Sequence, residues 1–406
     1  MTPFVHSWCT ANEFSTAAYR FGHTMLSGSF TLVNADGPFG SPIELKDVFF
    51  DADFFDGNGT LIDYVLGGLQ EGLAREIDPV LIDDVRDFLF GTPNGTDSCL
   101  DLAVLNIQRG RDHGLPSYND LRATMGLSRK ASFSEITSNA EVVGQLSSLY
   151  DSVDKVDAWV GVLSEDHVEG SSVGELLGTM MKDQFDRLMY GDPFFYKNDD
   201  DLKDSVLRAS VMDVESVTLQ RIIGRNTLVV YPESKSAFIH DNDIPLTAVR
   251  TIDGTDRADG AGAAEEVLLR LSSDLTYGDM VGEELWNNTN PRLISNVLMK
   301  ETVATDNSRG LLDMVWQWGQ FLDHDIDLTE GTAGYGNMTV EIPNDPNDLF
   351  IQNGCPEINL VRSEYEHGAE IGDGHLREQV SGWECVGIWC WFVRFLQCGL
   401  QHYLLC

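Results

Sequence analysis

Residues suited to acid/base chemistry are concentrated in positions 316–327 of the 406-residue sequence. Gln320 and His324 are four positions apart and therefore share one face of a helix, with Asp323 beside them. The helical period turns Asp325 away from His324 by about 100°. An imidazole next to an amide and a carboxylate on a rigid helix is able to transfer protons. The alternative is an amphipathic helix whose polar face, including the histidine, is merely solvated.

A second candidate group lies in residues 12–25, where apolar residues at helical spacing predict a helix. Arg20 and His23 are three positions apart on this helix, so one ligand could contact both a guanidinium and an imidazole. Such a pair suits a ligand that carries carboxylates and a metal. A buried histidine with a structural role is the alternative.

A third group follows an apolar helix start at residues 101–107 and contains Asn106, Arg109 and Arg111. The pattern predicts a buried helix that opens into a polar site. Two arginines in a half-apolar stretch need anionic partners, which could be internal Asp and Glu residues or the carboxylates of a ligand.

The elements that position these groups are predicted to be helices. Apolar periodicity favours further helices at 61–73, 80–90, 146–162, 172–189, 211–225, 264–271 and 291–300. Residues 28–57 and 331–347 are rich in turn signals and predict irregular structure, and residues 229–262 are typical of an extended connection. Strict alternation of apolar and polar residues, which would indicate strands, is rare. The predicted fold class is therefore mainly α with little β.

The charge balance narrows the classes of partner. Lys and Arg number 27 against 65 Asp and Glu, which gives a formal net charge of −38. Nucleic acids and anionic membrane surfaces are repelled by such a surface, whereas cations are attracted. The runs at 198–201 and 241–243 could attract calcium, or they could be solvated acidic loops.

The seven cysteines are odd in number and do not define a redox compartment. Glycosylation sequons at Asn58, Asn94, Asn287 and Asn337 permit an extracellular or secretory location, although no signal peptide is visible. Residues 381–406 are rich in Trp and Cys, and polar residues interrupt their apolar run, so we expect no membrane span there.

Three blocks of sequence resemble the animal-type haem peroxidases of the peroxidase-cyclooxygenase superfamily. They are NEFSTAAYRFGHTM at 12–25, which is similar to the family's proximal helix, LNIQRGRDHGLPSYN at 105–119, and WQWGQFLDHDID at 316–327, which is similar to its distal helix. Weaker likeness covers most of residues 10–225 and 250–380. The resemblance implies haem b as cofactor and hydrogen peroxide as substrate, with a phenolic or halide donor.

On the proximal side the resemblance implies that His23 is the axial ligand of haem iron and that Asn106 accepts a hydrogen bond from its other ring nitrogen. Arg20 and Arg109 would pair with the haem propionates. On the distal side the resemblance implies that His324 transfers a proton from and to peroxide and that Gln320 holds a water or a halide. It also implies that Asp323 forms an ester to a haem methyl and that Asp325 is a calcium ligand.

The order of these blocks departs from the family, because His23 precedes His324 whereas the family places the distal helix first. We therefore expect residues 1–232 to be the C-terminal, proximal part of one peroxidase domain and residues 253–380 to be the N-terminal, distal part of a second, with 233–252 as a linker. Residues 381–406 would be an unrelated tail, as a frameshift or unspliced intron would produce. A partner domain in a longer chain would complete each part.

A circular permutant is the alternative, in which the distal helix folds back so that both histidines face one haem. In either case nothing after Asp325 resembles the family's distal Arg and Glu helix, a departure that puts O–O cleavage in doubt. The rival function is an inactive, acidic module for calcium binding or adhesion outside the cell.

Overall fold

The computed structural model describes residues 10–34, 36–48, 59–87, 99–191, 218–227, 236–239, 268–269, 271, 288–326, 337–361 and 375–376. Helices dominate these residues, which confirms the mainly α fold class. The α-helices are α1 (Leu45–Val48), α2 (Gly59–Leu69), α3 (Asp83–Arg86), α4 (Leu102–Asp112), α5 (Tyr118–Thr124), α6 (Phe133–Ile136), α7 (Ala140–Leu149), α8 (Ala158–Ser164), α9 (Glu175–Gly191), α10 (Leu219–Asn226), α11 (Pro291–Leu298), α12 (Met314–Ile326) and α13 (Leu349–Gln352).

Strands in the described residues form three two-stranded antiparallel pairs. These strands are β1 (Ser29–Asn34) with β2 (Gly37–Glu44), β3 (Leu268–Leu269) with β6 (His375–Leu376), and β4 (Asn337–Glu341) with β5 (Glu357–Val361).

The segment that carries Arg20 and His23 is helical, as its spacing predicts, but it is not a regular α-helix. A π-helical turn at Phe14–Ala18 continues into a 3-10 helix at Tyr19–Met25. The first of these turns is fully buried. Changes of helical pitch rotate side chains relative to their positions in an ideal α-helix. The spacing of residues 20 and 23 alone therefore could not predict the directions in which their side chains point.

Residues 28–57 contain an antiparallel hairpin where irregular structure was predicted. β1 and β2 pair from Ser29 with Glu44 to Asn34 with Gly37, with an irregularity between Phe30 and Leu32. The hairpin packs on α2, whose Gly68 permits the close approach: a Cβ atom there would lie 1.7 Å from the carbonyl oxygen of Thr31. Pairing and packing therefore override the local turn signals.

Four other sequence predictions are wrong in detail. The helix expected at 146–162 is divided into α7, a 3-10 turn at Val153–Lys155 and α8. The helix expected at 264–271 contains strand β3, and the irregular stretch expected at 331–347 contains β4. The helix expected at 80–90 is reduced in the described residues to α3.

One hydrophobic core is built from two segments of the chain, the first at residues 10–227 and the second at residues 288–361. Buried residues of 11–223, including Phe14 and Trp159, belong to the same cluster as Ile294, Met314 and Ile358. A disulfide between Cys99 and Cys355 also joins the segments across 256 positions. Residues 288–361 therefore pack directly on residues 10–227 within this chain. The predicted tail at 381–406 lies outside the described residues.

Candidate functional site

His23 and Asn106 form a compact buried pair, and the partly buried Arg20 lies next to it. The His23 side chain lies on the 3-10 helix, and its Nδ1 is 2.7 Å from Nδ2 of Asn106 on α4. Arg20 donates from Nη1 to Oδ1 of Asn106 at 3.1 Å and from Nε to the Ser15 carbonyl at 3.2 Å. The structure thus brings together three of the residues that the sequence singles out, although the amide nitrogen of Asn106, not its oxygen, faces the imidazole.

The environment keeps the His23 imidazole neutral. Burial, and then the positive charge of Arg20, lower the pKa of His23 to about 3. A neutral imidazole is the form that binds a metal, because protonation occupies the nitrogen lone pair. His23 is therefore in the charge state that a metal ligand requires at neutral pH.

Helix α4 positions Asn106 through a fixed N-terminus. Asp101 caps the helix by accepting from the backbone amides of Ala103 and Val104 at 2.8 and 3.2 Å. Its other carboxylate oxygen accepts from Arg292 and Ser295, both at 2.6 Å. The cap and its two partners are buried, so the start of α4 is anchored to α11 in the second segment.

The two arginines of α4 pair with internal carboxylates. Arg111 makes a bidentate pair with Asp157 at 2.8 and 2.9 Å, and Arg109 donates to Asp112 at 3.2 Å. Of the two partner classes that the sequence left open, internal Asp residues are the ones observed. The expected contact of Arg109 with a propionate gains no support from this geometry, since a neighbouring carboxylate engages its guanidinium.

Helix α12 packs against the 3-10 helix that carries His23. The hydroxyl of Tyr19 donates to the carbonyl of Gly319 at 3.1 Å. Gln320 is buried on α12. The backbone of α12 continues through Ile326, but the side chains of the sequence-predicted residues Asp323, His324 and Asp325 lie outside the described part of the structure.

Comparison with known proteins gives a match to the sequence model of animal haem peroxidases. The match covers residues 6–238 and 249–383, which together include most of the chain. The chain belongs to the animal haem peroxidase family.

Individual animal haem peroxidases match about half of the chain. Peroxinectin A of Dictyostelium discoideum is 36% identical over 217 residues, which are 53% of this chain and 39% of that protein. Chorion peroxidase of Drosophila melanogaster is 34% identical over 217 residues, 53% of this chain and 26% of that protein. The solved structure of peroxidase A from Dictyostelium discoideum is 34% identical, with a TM-score of 0.49, and the match covers 55% of this chain and 42% of that one.

The chain spans less than half the length of these animal haem peroxidase relatives. No helix in the described part of the chain is long and apolar enough to cross a membrane. Within the same residues no group of three or more His, Cys, Asp or Glu side chains could hold a metal ion. The calcium ligand that the sequence predicts at Asp325 lies outside them.

The proximal residues fit a haem, the group for which the animal haem peroxidase family is named. A histidine that held a haem iron would have to be neutral, with its second ring nitrogen held by a neighbouring polar group. His23 and Asn106 supply this pair, and the Arg20 guanidinium lies next to it as a partner for carboxylates.

Sequence reasoning missed the contacts that join the two segments of this animal haem peroxidase. Arg292 is buried among the carboxylates of Asp87, Asp101 and Asp348, at 2.8, 2.6 and 3.0 Å. The disulfide between Cys99 and Cys355 adds a covalent link. No local pattern indicates either contact, because each joins residues that are far apart in sequence. Only the role of Asp101 as the N-cap of α4 could have been predicted, from a capping signal.

Proposed function

We propose that the chain is a haem-dependent peroxidase, which reduces hydrogen peroxide and oxidises a phenolic or halide donor. The observation that supports it most directly is the buried, neutral His23, held at Nδ1 by Asn106 and placed beside helix α12. Family membership supplies the class of reaction, and these residues supply a site for it.

On the proximal side, His23 is the proposed axial ligand of haem b, and Arg20 the proposed partner of a propionate. Asn106 is the second residue of this side because its amide fixes the position of the imidazole ring. Haem, when bound, supplies the redox chemistry that no side chain of the protein can supply.

On the distal side, His324 is the proposed acid/base residue, which takes a proton from peroxide and returns it to the leaving oxygen. Gln320, one helical turn before it, is proposed to hold a water or a halide. Asp323 is the proposed site of an ester to a haem methyl, and Asp325 the proposed calcium ligand. All four residues lie on α12, which the Tyr19 contact joins to the proximal helix.

The two segments are proposed to form one haem-binding body with reversed order. The shared core, the buried Arg292 cluster and the Cys99–Cys355 disulfide support this arrangement. In the tandem arrangement, which the sequence predicts first and to which the permutant is the alternative, residues 1–232 and 253–380 would make equivalent contacts with parts of neighbouring domains in a longer chain.

A haem titration followed by a peroxidase assay tests the proposal. We expect a Soret band at one haem per chain, followed by peroxide-dependent oxidation of a phenolic dye, and the loss of both in His23→Ala. His113→Ala is the matched control, because His113 is also a buried histidine that bonds to an asparagine. Bound haem without turnover would favour the inactive calcium-binding or adhesion module, and failure to bind haem would refute the proposal.

A further inference from the structure

The orientation of the Asn106 amide is set by Arg20. A guanidinium has only donors, so the atom of Asn106 that lies 3.1 Å from Arg20 Nη1 must be the oxygen. The amide NH2 is consequently the group that faces His23, at 2.7 Å from Nδ1. An amide NH2 only donates, and therefore His23 Nδ1 must accept.

This arrangement fixes the tautomer of His23. A neutral imidazole carries one proton, and if Nδ1 accepts a hydrogen bond the proton is on Nε2. Ligation of a metal by Nε2 requires the opposite tautomer, with the proton on Nδ1 and an acceptor facing it. In the present structure His23 is thus held in the tautomer that cannot bind iron through Nε2.

His113 shows the opposite arrangement in the same chain. The Asn12 amide donates from Nδ2 to the His113 carbonyl at 3.3 Å, which directs its Oδ1 towards His113 Nδ1 at 2.9 Å. His113 therefore carries its proton on Nδ1. Two buried His–Asn pairs differ in tautomer, and a neighbouring hydrogen-bond partner of the asparagine accounts for each orientation.

We propose that Arg20 is a positioning residue that keeps His23 in the Nε2–H tautomer until a carboxylate of an incoming ligand draws the guanidinium away from Asn106. The amide then turns, and its oxygen accepts from Nδ1–H. The imidazole loses one proton at Nε2 and gains one at Nδ1, so it stays neutral and no net proton is released. The inference rests on the proposed role of His23 as haem ligand, with the haem propionates as the carboxylates.

The tautomers of the haem-free protein provide the first test. In the full chain labelled with 15N-histidine, His23 should show a pyridine-like Nδ1 and a pyrrole-like Nε2, and His113 the reverse. A His23→Gln spectrum identifies the His23 signals. In Arg20→Met the guanidinium no longer fixes the amide, so the Nδ1–H tautomer of His23 should become populated. A pyrrole-like Nδ1 in wild type, or an unchanged tautomer in Arg20→Met, would overturn the proposal.

Binding of haem and of haem dimethyl ester provides the second test, because the ester has no anionic carboxylates. Wild type should bind the ester roughly tenfold or more weakly than haem, since the bond from Arg20 to Asn106 must break without a replacement. Arg20→Met should bind the ester more tightly than wild type does. A simple propionate salt bridge predicts equal affinities of both proteins for the ester, and that result would refute the coupling.

The two tests separate this inference from the proposed function. If the chain bound no haem, the proposed function would fail, while the tautomers of His23 would still decide whether Arg20 sets them. The exposed Arg129 is the control: Arg129→Met should leave both the tautomers and the ester affinity unchanged.

Discussion

The hydroxyl of Tyr19 and the carbonyl of Gly319 are joined by a 3.1 Å hydrogen bond, although 300 positions of sequence separate the two residues. The bond connects the helix that carries His23 with the helix that carries Gln320 and His324. The two blocks that the family resemblance assigns to opposite sides of a haem are therefore neighbours in this chain.

Removal of the Tyr19 hydroxyl tests whether this contact forms in solution. Tyr19→Phe is expected to lower the free energy of unfolding by about 1 kcal/mol, the usual net contribution of one such hydrogen bond. Urea unfolding measures the change. Tyr190→Phe is the control, since Tyr190 is 75% exposed, and its stability should equal that of wild type. Equal stability of Tyr19→Phe and wild type would contradict the contact.

Arg292 is expected to be the most sensitive residue of the boundary between the segments. Arg292→Met leaves the carboxylates of Asp87, Asp101 and Asp348 buried without their cation, so we expect a loss of about 3–5 kcal/mol. Arg129→Met removes an exposed arginine with two carboxylate partners, and should cost less than about 1 kcal/mol. Equal effects of the two substitutions in urea unfolding would show that the Arg292 cluster does not form.

The disulfide between Cys99 and Cys355 closes a loop of 256 positions. Its removal in Cys99→Ser/Cys355→Ser is expected to lower the free energy of unfolding by roughly 2–5 kcal/mol, mainly because the unfolded chain regains conformational freedom. A dithiol reductant should destabilise wild type by a similar amount and leave the double variant unaffected. Mass spectrometry of a peptide digest should recover the linked pair, and its absence from the native protein would contradict this bond.

The stabilising contributions of Asp313 and Asp78 are expected to fall as the pH rises from about 4 to 7, while His23, whose pKa is lowered to about 3, contributes in the opposite direction. Burial raises the pKa of Asp313 to about 6, despite hydrogen bonds from Trp316 and Ser27, and burial also raises the pKa of Asp78 to about 6. The folded state binds these protons more tightly than the unfolded state, so their stabilising effect is complete below the unfolded pKa and is lost through pH 6.

The variant Asp313→Asn isolates one of these two groups. It should lose only the part of the pH dependence that Asp313 contributes, which is at most about 3 kcal/mol. Urea unfolding at a series of pH values measures the slope. A slope between pH 4 and 7 that is the same in Asp313→Asn and wild type would show that the Asp313 carboxyl does not titrate in this range.

The sequence predicts helices where local signals suffice. Helix α4 begins at an Asp cap within the predicted helix start at 101–107, and α12 covers most of the predicted helical stretch 316–327. The hairpin of β1 and β2 was not predicted, because its stability depends on packing against Gly68 of α2, a contact outside the local window. The strand β3 pairs with β6 more than 100 positions away, which no periodicity can indicate.

In the candidate site, too, the sequence predicted which residues matter but not the contacts that they make. Residue types and the family resemblance brought out His23, Asn106 and Arg20 together, and the structure places them within hydrogen-bond distance. The family resemblance implied that Asn106 accepts a hydrogen bond from His23, but in the structure the amide nitrogen faces Nδ1, because Arg20 engages the amide oxygen. Likewise, Arg111 needed an anion, but only the fold shows that the anion is Asp157.

The measurement that tests the central claim most directly is the iron–histidine vibration of the ferrous, haem-loaded chain. Resonance Raman spectroscopy should show this band in wild type, lose it in His23→Gly, and regain it when imidazole is added to fill the cavity left by the side chain. A band that persists unchanged in His23→Gly would contradict the assignment of His23 as the axial ligand.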